Sequence, residues 1–485
     1  MDKSVKDIIG ELASVNIIGD AGRKVSGIVF DSRKATPETL FVAQKGVASD
    51  GHDYIAKVFE QGCRAIVCEK QPADYPQDAC IVTVPDTHYA LGIMASAFYG
   101  HPSSKMKLVG VTGTNGKTTI ATLLYRLTTK LGHKSGLFST VANYIGDQRT
   151  DATHTTPDAV TLNERMHQMV AEGCEYCFME VSSHSIVQHR IAGLQFDGGI
   201  FTNITHDHLD YHKTFDAYIK AKKAFFDGLD KNAFAITNID DKNGQVMLQN
   251  TAAKRLTYSL RAMADFKGEI IESSFEGMNI RFNKEEAFMQ FVGKFNAYNL
   301  LAIYGAAVSL GFDSHDVLVA LSSLVPVDGR FEAIRSNDGK TAIVDYAHTP
   351  DALLNVISTI NAVRKESQRL ICVVGCGGDR DKTKRPEMAQ EAVRGASLVV
   401  LTSDNPRSED PNDILNDMKA GLNADELART LTIVDRREAI KTALTLAQKG
   451  DIVLIAGKGH ENYQDVKGVK SHFDDREEVR KVFNI

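Results

Sequence analysis

Short apolar runs, each closed by polar or glycine-rich residues and followed by an amphipathic stretch, recur along almost the whole chain. Apolar runs bounded by turn residues read as buried strands, and apolar positions at helical spacing read as helices. In the first part the pattern predicts strands over 25–30, 39–42, 65–68 and 81–84, with helices over 54–61 and 87–99. Gly100-His101-Pro102-Ser103-Ser104 then interrupts it as a linker. In the middle part the predicted strands are 108–111, 136–140, 176–181, 198–202 and 233–237, with helices from 117 to about 131 and over 215–226. In the last part they are 341–344, 370–374, 398–402, 432–434 and 452–456, and the clearest helix is 437–448. Strands alternating with helices imply an α/β protein with largely parallel sheets, and ligands at the carboxyl ends of the strands. The last part reads as a doubly wound unit with one ligand edge.

Length divides this pattern. A chain of 485 residues exceeds one ordinary core. Three domains are expected: a smaller N-terminal α/β domain at 1–103, a central one at 104–335 and a C-terminal one at 336–485. With 43% hydrophobic and 24% charged residues the composition is that of a globular protein in water. A formal net charge of -6 argues against a nucleic-acid partner. The opening MDKSVKDIIG has no apolar signal region, and no stretch has the length of a membrane span. A cytoplasmic protein without membrane insertion is the expectation. Cys174 and Cys177 form a CxxC, but no second pair follows at zinc-binding spacing, so buried free thiols are expected.

The most informative stretch is 108–119, LVGVTGTNGKTT. An apolar strand runs into Gly113-Thr114-Asn115-Gly116, then Lys117-Thr118-Thr119 opens a helix. That is the context of a phosphate-binding loop: backbone N–H groups and a helix N-terminus surround phosphate oxygens. Lys117 would reach the β/γ-phosphates and the Thr118 hydroxyl would hold Mg²⁺. The usual Gly six residues before the Lys is Val111 here, so the loop is a compact variant. A triphosphate needs a hard cation with oxygen ligands, and Glu180, at a strand end, is a natural partner for Thr118.

Other strand ends carry further polar clusters. His206-Asp207-His208-Leu209-Asp210-Tyr211-His212 has three readings: a transition-metal site, a loop giving one imidazole to a Mg²⁺ shell, or a structural loop. Lys222, on an amphipathic helix, is ambiguous alone. Asp345 and His348 stand where the last domain begins and could face a nucleotide across a cleft. Asp404-Asn405-Pro406-Arg407 offers a planar guanidinium fork suited to a carboxylate, with a plain turn as the alternative. Asp31-Ser32-Arg33 follows a strand and is a ligand site or a surface turn.

Taken in order, these motifs resemble the Mur ligase family, ATP-dependent amide-forming enzymes of peptidoglycan precursor synthesis. The loop 113–119, Glu180-Val181-Ser182-Ser183-His184, Asp207-His208-Leu209-Asp210, Tyr218 to Lys222, Asn296 to Asn299, Gly329-Arg330-Phe331-Glu332 and Asp345-Tyr346-Ala347-His348 are similar to the family motifs. Asp328 stands where many relatives have Pro. Thr155-Thr156-Pro157, Gly377-Gly378-Asp379-Arg380 and Asp404-Asn405-Pro406-Arg407 resemble the branch that adds meso-2,6-diaminopimelate to UDP-N-acetylmuramoyl-L-alanyl-D-glutamate. An L-lysine-adding or folylpolyglutamate-type ligase is the alternative.

The resemblance implies a central ATPase, a C-terminal Rossmann-like domain for the amino acid and an N-terminal domain for the UDP group. It implies ATP contacts at Gly113, Thr114, Asn115, Gly116, Lys117, Thr118, Thr119, Asn296, Asn299, Arg330 and Asp345. Ser32 would lie near the uridine, and Thr155, Thr156, Ser182, Gln188 and Arg190 near the muramoyl peptide. Diaminopimelate would meet Arg380, Asp404, Asn405, Pro406, Arg407, Gly457 and Glu461. Thr118 and Glu180 would hold one Mg²⁺, His208 and a carbamylated Lys222 the second, and Lys117, Glu180, His208 and Lys222 would be the catalytic set. Only small-molecule substrates and a monomer are implied.

Overall fold

The structure is a computed structural model. It describes residues 2–485 apart from 47, 48, 153 and 206, and describes no side chains for 209 and 210. Three large sheets follow one another along the chain. The first runs in spatial order Asn16–Ile18, Cys80–Thr83, Ala65–Cys68, Thr39–Val42, Gly27–Val29, parallel except for the first pair. The predicted strand 25–30 divides at Ser26: Lys24–Val25 turns aside to pair with Lys3–Ser4. Helix Thr87–Phe98 covers this sheet, its N-terminus capped by the Asp86 carboxylate, which accepts from His88 and Tyr89 N–H.

The second sheet has 11 strands. Its parallel centre runs Ser135–Phe138, Tyr176–Glu180, Lys107–Thr112, Gly198–Phe201, Phe234–Asn238, Lys254–Ser259, Phe266–Ser273. Antiparallel strands extend both margins: Ala142–Ile145 and Gln148–Asp151 on one side, Met278–Phe282 and Glu285–Met289 on the other. These hairpins were not anticipated, because their solvent faces carry polar residues that interrupt the apolar runs. The alternation of the central strand places its side chains on two faces: Val109 and Val111 pack with helices Lys117–Lys130 and Lys294–Ser309, while Leu108 packs with helices Ala159–Ala171 and Phe215–Asp227.

The third sheet runs Glu332–Arg335, Thr341–Asp345, Ile452–Ala456, Leu370–Val374, Leu398–Leu401, Thr430–Thr432, and is antiparallel only at its first pair. Leu370, Cys372 and Val374 face helices Pro350–Val363, Lys384–Gly395 and Pro411–Lys419, whereas Ile371 and Val373 face helices Arg436–Leu446 and Asp475–Phe483. Helices on both faces of a parallel sheet make it doubly wound. The edge strand lies at 430–432 rather than 432–434, since Val399–Leu401 pair with Thr430–Thr432; hydrogen bonds from Ile433 N–H to the Leu401 carbonyl and from Ser403 N–H to the Val434 carbonyl carry the contact on beyond the paired residues. Among the described residues no helix is long and apolar enough to cross a membrane. Cys174 and Cys177 are buried free thiols, and burial pushes both their pKa values up.

Candidate active site

Strand Lys107–Thr112 lies between Tyr176–Glu180 and Gly198–Phe201, all parallel. Thr112, Glu180 and Thr202 therefore emerge along one edge of the sheet. The loop that follows has no room for side chains at two glycines. At Gly113, with φ +151°, a Cβ would lie 1.8 Å from Thr202 Oγ1. At Gly116, with φ +91°, it would lie 2.6 Å from Asn299 Oδ1. The adjoining strand end fastens the loop: Thr202 Oγ1 donates to the Asn115 carbonyl at 2.6 Å, and the Asn203 carbonyl accepts from Thr114 N–H at 2.8 Å. The Thr114 hydroxyl lies 3.2 Å from Tyr218 Oη. Thr202 and Asn203 were not picked out from the sequence, where they read only as the polar end of a strand.

Two lysines and an arginine converge on this loop, and each donates to neutral oxygens. Lys117 Nζ donates to the Gly113 and Thr114 carbonyls at 2.9 and 2.8 Å. Lys222 Nζ donates to the same Gly113 carbonyl at 2.8 Å, over the Tyr218 ring, with only 1% of the residue exposed. Arg330 Nη2 donates to Thr118 Oγ1 at 3.1 Å, and its guanidinium covers the Tyr346 ring. Burial lowers the Lys117 pKa against the pull of Glu180 and Asp207. Burial, then the Lys117 charge, drives the Lys222 pKa well below the usual lysine value. The Asp345 carboxylate accepts from Phe331 and Ala347 N–H, so it fixes the segment that carries Arg330. Asn299 Nδ2 donates to Asn296 Oδ1, which joins that pair to the loop through Gly116. Thr119 is buried in the first turn of the loop's helix.

The third sheet reaches across to the same loop. Asn115 Nδ2 donates to Asp351 Oδ2 at 3.1 Å, from the first turn of helix Pro350–Val363. Lys384 Nζ donates to Asp207 Oδ1 at 2.6 Å. The Asp207 carboxyl is held well below the usual range by His208 and Lys384, although burial opposes this. Burial, with His184, Lys117 and Lys222 nearby, pushes the His208 imidazole down to about 4 despite Asp207. His206 lies outside the described residues. Among those described, no three His, Cys, Asp or Glu side chains are placed to hold a metal. His348 is exposed, with Nδ1 2.8 Å from the Tyr346 carbonyl.

A second group adjoins Glu180. Its carboxylate, 1% exposed, accepts from Thr140 N–H at 2.6 Å, and Thr140 Oγ1 donates to Thr155 Oγ1. Thr156 Oγ1 donates to the Glu180 carbonyl at 2.8 Å and lies 3.3 Å from Ser182 Oγ. Arg190 donates to the Thr156 carbonyl and, through two nitrogens, to Gln188 Oε1. The residues assigned to the muramoyl peptide thus form one connected patch. Ser32 is apart from it, in the single turn Ser32–Lys34 after Gly27–Val29, and no described hydrogen bond joins the two.

A third group lies at the carboxyl edge of the last sheet. Asp404, Asn405 and Pro406 are buried and follow Leu398–Leu401; Gly457 follows Ile452–Ala456. Asn405 Nδ2 donates to Glu461 Oε2 at 2.8 Å. A Cβ at Gly457 would lie 2.6 Å from Asp404 Oδ2. Arg407, with φ +50°, donates from Nη1 to the Gly378 carbonyl at 2.6 Å. Arg380 is exposed at the rim, on an open hollow shared with Asp379, Asp381, Lys382 and Glu409. The sequence reading missed Lys458, whose ammonium is enclosed by this group; a lysine in a Gly-Lys-Gly turn gives no sign of burial.

Comparison with known proteins decides the family. The chain matches the Mur ligase middle domain over residues 111–307, the Mur ligase glutamate ligase domain over 329–459 and the Mur ligase family catalytic domain over 24–99. It is 57% identical over 481 residues to the UDP-N-acetylmuramoyl-L-alanyl-D-glutamate–2,6-diaminopimelate ligase of Bacteroides fragilis, covering 99% of each chain. This chain belongs to the Mur ligase family. Among solved structures, the Mur ligase resembles a UDP-N-acetylmuramoyl-L-alanyl-D-glutamate–2,6-diaminopimelate ligase at 32% identity and TM-score 0.71, covering 100% of this chain and 99% of that one. It shares its fold with the MurF ligase of Thermotoga maritima in complex with ADP, at 20% identity and TM-score 0.64, over 94% and 96% of the two chains. As a Mur ligase it is an ATP-dependent amide-forming enzyme.

Proposed function

We infer that this Mur ligase joins meso-2,6-diaminopimelate to UDP-N-acetylmuramoyl-L-alanyl-D-glutamate, splitting ATP to ADP and phosphate, in peptidoglycan precursor synthesis. The full-length likeness to relatives bearing that name carries the reading. The gathering of Asn405, Arg407 and Glu461 at one sheet edge supports it, since a distal carboxylate and ammonium need such groups. We divide the chain into domains at 1–103, 104–335 and 336–485, one around each sheet, and take it to work as a cytoplasmic monomer.

ATP lies along the loop 113–119. Lys117 leaves the Gly113 and Thr114 carbonyls to meet the β/γ-phosphates, and Arg330, Asn296, Asn299 and Asp345 complete the nucleotide site from the facing segments. Thr156, Ser182, Gln188 and Arg190 hold the acceptor so that its carboxylate oxygen attacks the γ-phosphorus. A C–O–P acyl phosphate forms and the bond to ADP breaks. The diaminopimelate amine then attacks the acyl carbon, an amide forms and phosphate leaves. No protein nucleophile is required, so the chain's work is to position anions and offset their charge. Contacts across the loop, Asn115–Asp351 and Asp207–Lys384, close the site against water that would hydrolyse the acyl phosphate.

The residues fit Mg²⁺. Thr118 and Glu180 offer hard oxygens from the ends of the loop and the adjoining strand, and would hold one ion; His208 with Lys222 would hold another. Lys222 fits only after modification. Burial drives its pKa down from the usual lysine value, which favours the neutral amine, the form that adds to CO₂ with loss of a proton to give an anionic carbamate. Bound there, the ions would screen the phosphates from the acceptor carboxylate. The deciding experiment is a panel of amino acids with ATP, Mg²⁺ and the UDP-muramoyl dipeptide, scored for phosphate. Release is expected with meso-diaminopimelate and to be very weak with L-lysine. Equal release with both overturns the specificity.

A further inference from the structure

The charges around the amino-acid pocket add up to a pattern that no residue yet assigned explains. Lys458 is the first residue after Gly457, and none of its surface is exposed. Its Nζ donates to Asn405 Oδ1 at 3.0 Å and to Glu461 Oε2 at 3.1 Å, and lies 3.5 Å from Asp404 Oδ1. The Tyr463 ring covers it at 5.5 Å. Every polar partner of this ammonium is therefore a residue proposed above to receive diaminopimelate. A buried charge with such partners is kept there by them and orients them in turn. Asn405 Oδ1, occupied by Lys458 Nζ and by Asp465 N–H, is fixed as the acceptor end, which turns Asn405 Nδ2 onto Glu461.

The remaining charges nearby can be counted. Asp404 and Glu461 are anions; Lys458 and Arg407 are cations. Arg436 also approaches Gly457, but its guanidinium is paired with Asp475, both fully buried. Arg380 is exposed to solvent. Asp465 turns its carboxylate away to Gly468 N–H, and Lys470 lies over the Tyr463 ring beside it. The four groups left, Asp404, Glu461, Lys458 and Arg407, sum to zero. A neutral pocket with separated charges suits a zwitterionic end, a carboxylate for Arg407 and an ammonium for the acids. Without Lys458 the same walls would carry one surplus negative charge, which suits a plain ammonium.

We propose that Lys458 is a specificity-determining positioning residue: by neutralising one of the two pocket acids it makes the site select an amino acid whose far end carries both an ammonium and a carboxylate. The proposal rests on the diaminopimelate reading above. Its test is the full-length enzyme with Lys458→Met, which keeps the buried length and removes the charge. The readouts are kcat/KM for meso-diaminopimelate and for L-lysine, KM for ATP, and thermal unfolding. Expected is a fall of about 10²-fold for meso-diaminopimelate, a fall below about tenfold or a gain for L-lysine, and an ATP KM within about twofold of the parent. Equal losses for both amino acids overturn it, because a merely structural role would not alter their ratio. If the variant does not fold, the unaltered enzyme decides. L-lysine, with a cationic far end, and L-2-aminopimelate, with an anionic one, are then expected to be penalised within about tenfold of each other relative to meso-diaminopimelate. A penalty confined to L-2-aminopimelate overturns the neutral pocket. Failure of the unaltered enzyme to use meso-diaminopimelate at all would instead overturn the reading on which both stand.

Discussion

The loop at 113–119 and the group around Lys458 both gather basic side chains, but they satisfy them differently. Around the loop, Lys117, Lys222 and Arg330 hydrogen-bond to carbonyls and a hydroxyl. In the last sheet, Lys458 meets Glu461 and Asp404, Arg436 meets Asp475, and Arg385 meets Glu409 and Asp417. Arg407 is the exception there, resting on the Gly378 carbonyl. A cation on a neutral oxygen keeps most of its charge available to a ligand; a cation on a carboxylate is already used by the framework. On that rule Lys117, Arg330 and Arg407 are the cations left free for a ligand, which agrees with the proposal of a polyanion at the loop and one carboxylate in the pocket. This matches a nucleotide triphosphate on one side and the far end of diaminopimelate on the other.

The sharpest way to break the comparison is at the loop. Lys117→Ala should lower ligation on the order of 10³-fold while leaving the thermal unfolding transition in place, because the side chain acts on phosphate charge. Near-normal turnover in the folded variant would remove the contrast. Lys222→Ala should cost on the order of 10²-fold and recover in part with small added carboxylates, which replace the carbamate oxygens. A carbamate signal from ¹³C-labelled CO₂ should appear in the parent and vanish in the variant; an active parent without it contradicts the modification.

The pocket gives the next effect. Arg407→Ala should reduce kcat/KM for meso-diaminopimelate by about 10²-fold, in line with losing one partner of a buried charge pair, and should leave the ATP KM nearly unchanged. An unaltered preference over L-lysine would show that Arg407 is framework like Arg385.

Between the two regions stands the Asp207–Lys384 bridge, with side chains 10% and 21% exposed. Lys384→Met should lower kcat by less than about tenfold, since a partly solvated pair contributes little, and should make turnover less sensitive to added salt. A loss as large as that of Lys117→Ala would place Lys384 with the loop cations.

The smallest effect concerns framework pairing alone. Hydrogen bonds from Arg385 lead the lowering of the Glu409 pKa, from 4.5 to about 2. The folded value is depressed, so this carboxylate's contribution to stability is full above about 4.5 and is lost as pH falls towards 2. Acid unfolding of Glu409→Gln should therefore be less steep than that of the parent over that window. Identical curves would remove Arg385–Glu409 from the framework.

By itself the sequence determined most of the elements and pointed to the family. Strand Leu370–Val374 and helix Phe215–Asp227 were legible because burial on alternating or helical faces is written into neighbouring residues, and Thr214 caps the helix locally. The loop 113–119 was legible because its glycines, Lys and Thr are contiguous. The hairpins at 266–289 were not, because polar positions on a solvated face blur the period. Nor were the partners of the charges. Asn115 meets Asp351 across 236 positions, Lys384 meets Asp207 across 177, and Lys458 meets Asn405 across 53. Strand order and the approach of one sheet to another bring these together, and neither is encoded at short range. A lysine has the same local signature whether it ends in water, on a carbonyl or between two acids. Only the tertiary structure chose among these, because the free energy of a charge depends on what surrounds it rather than on its neighbours in the chain.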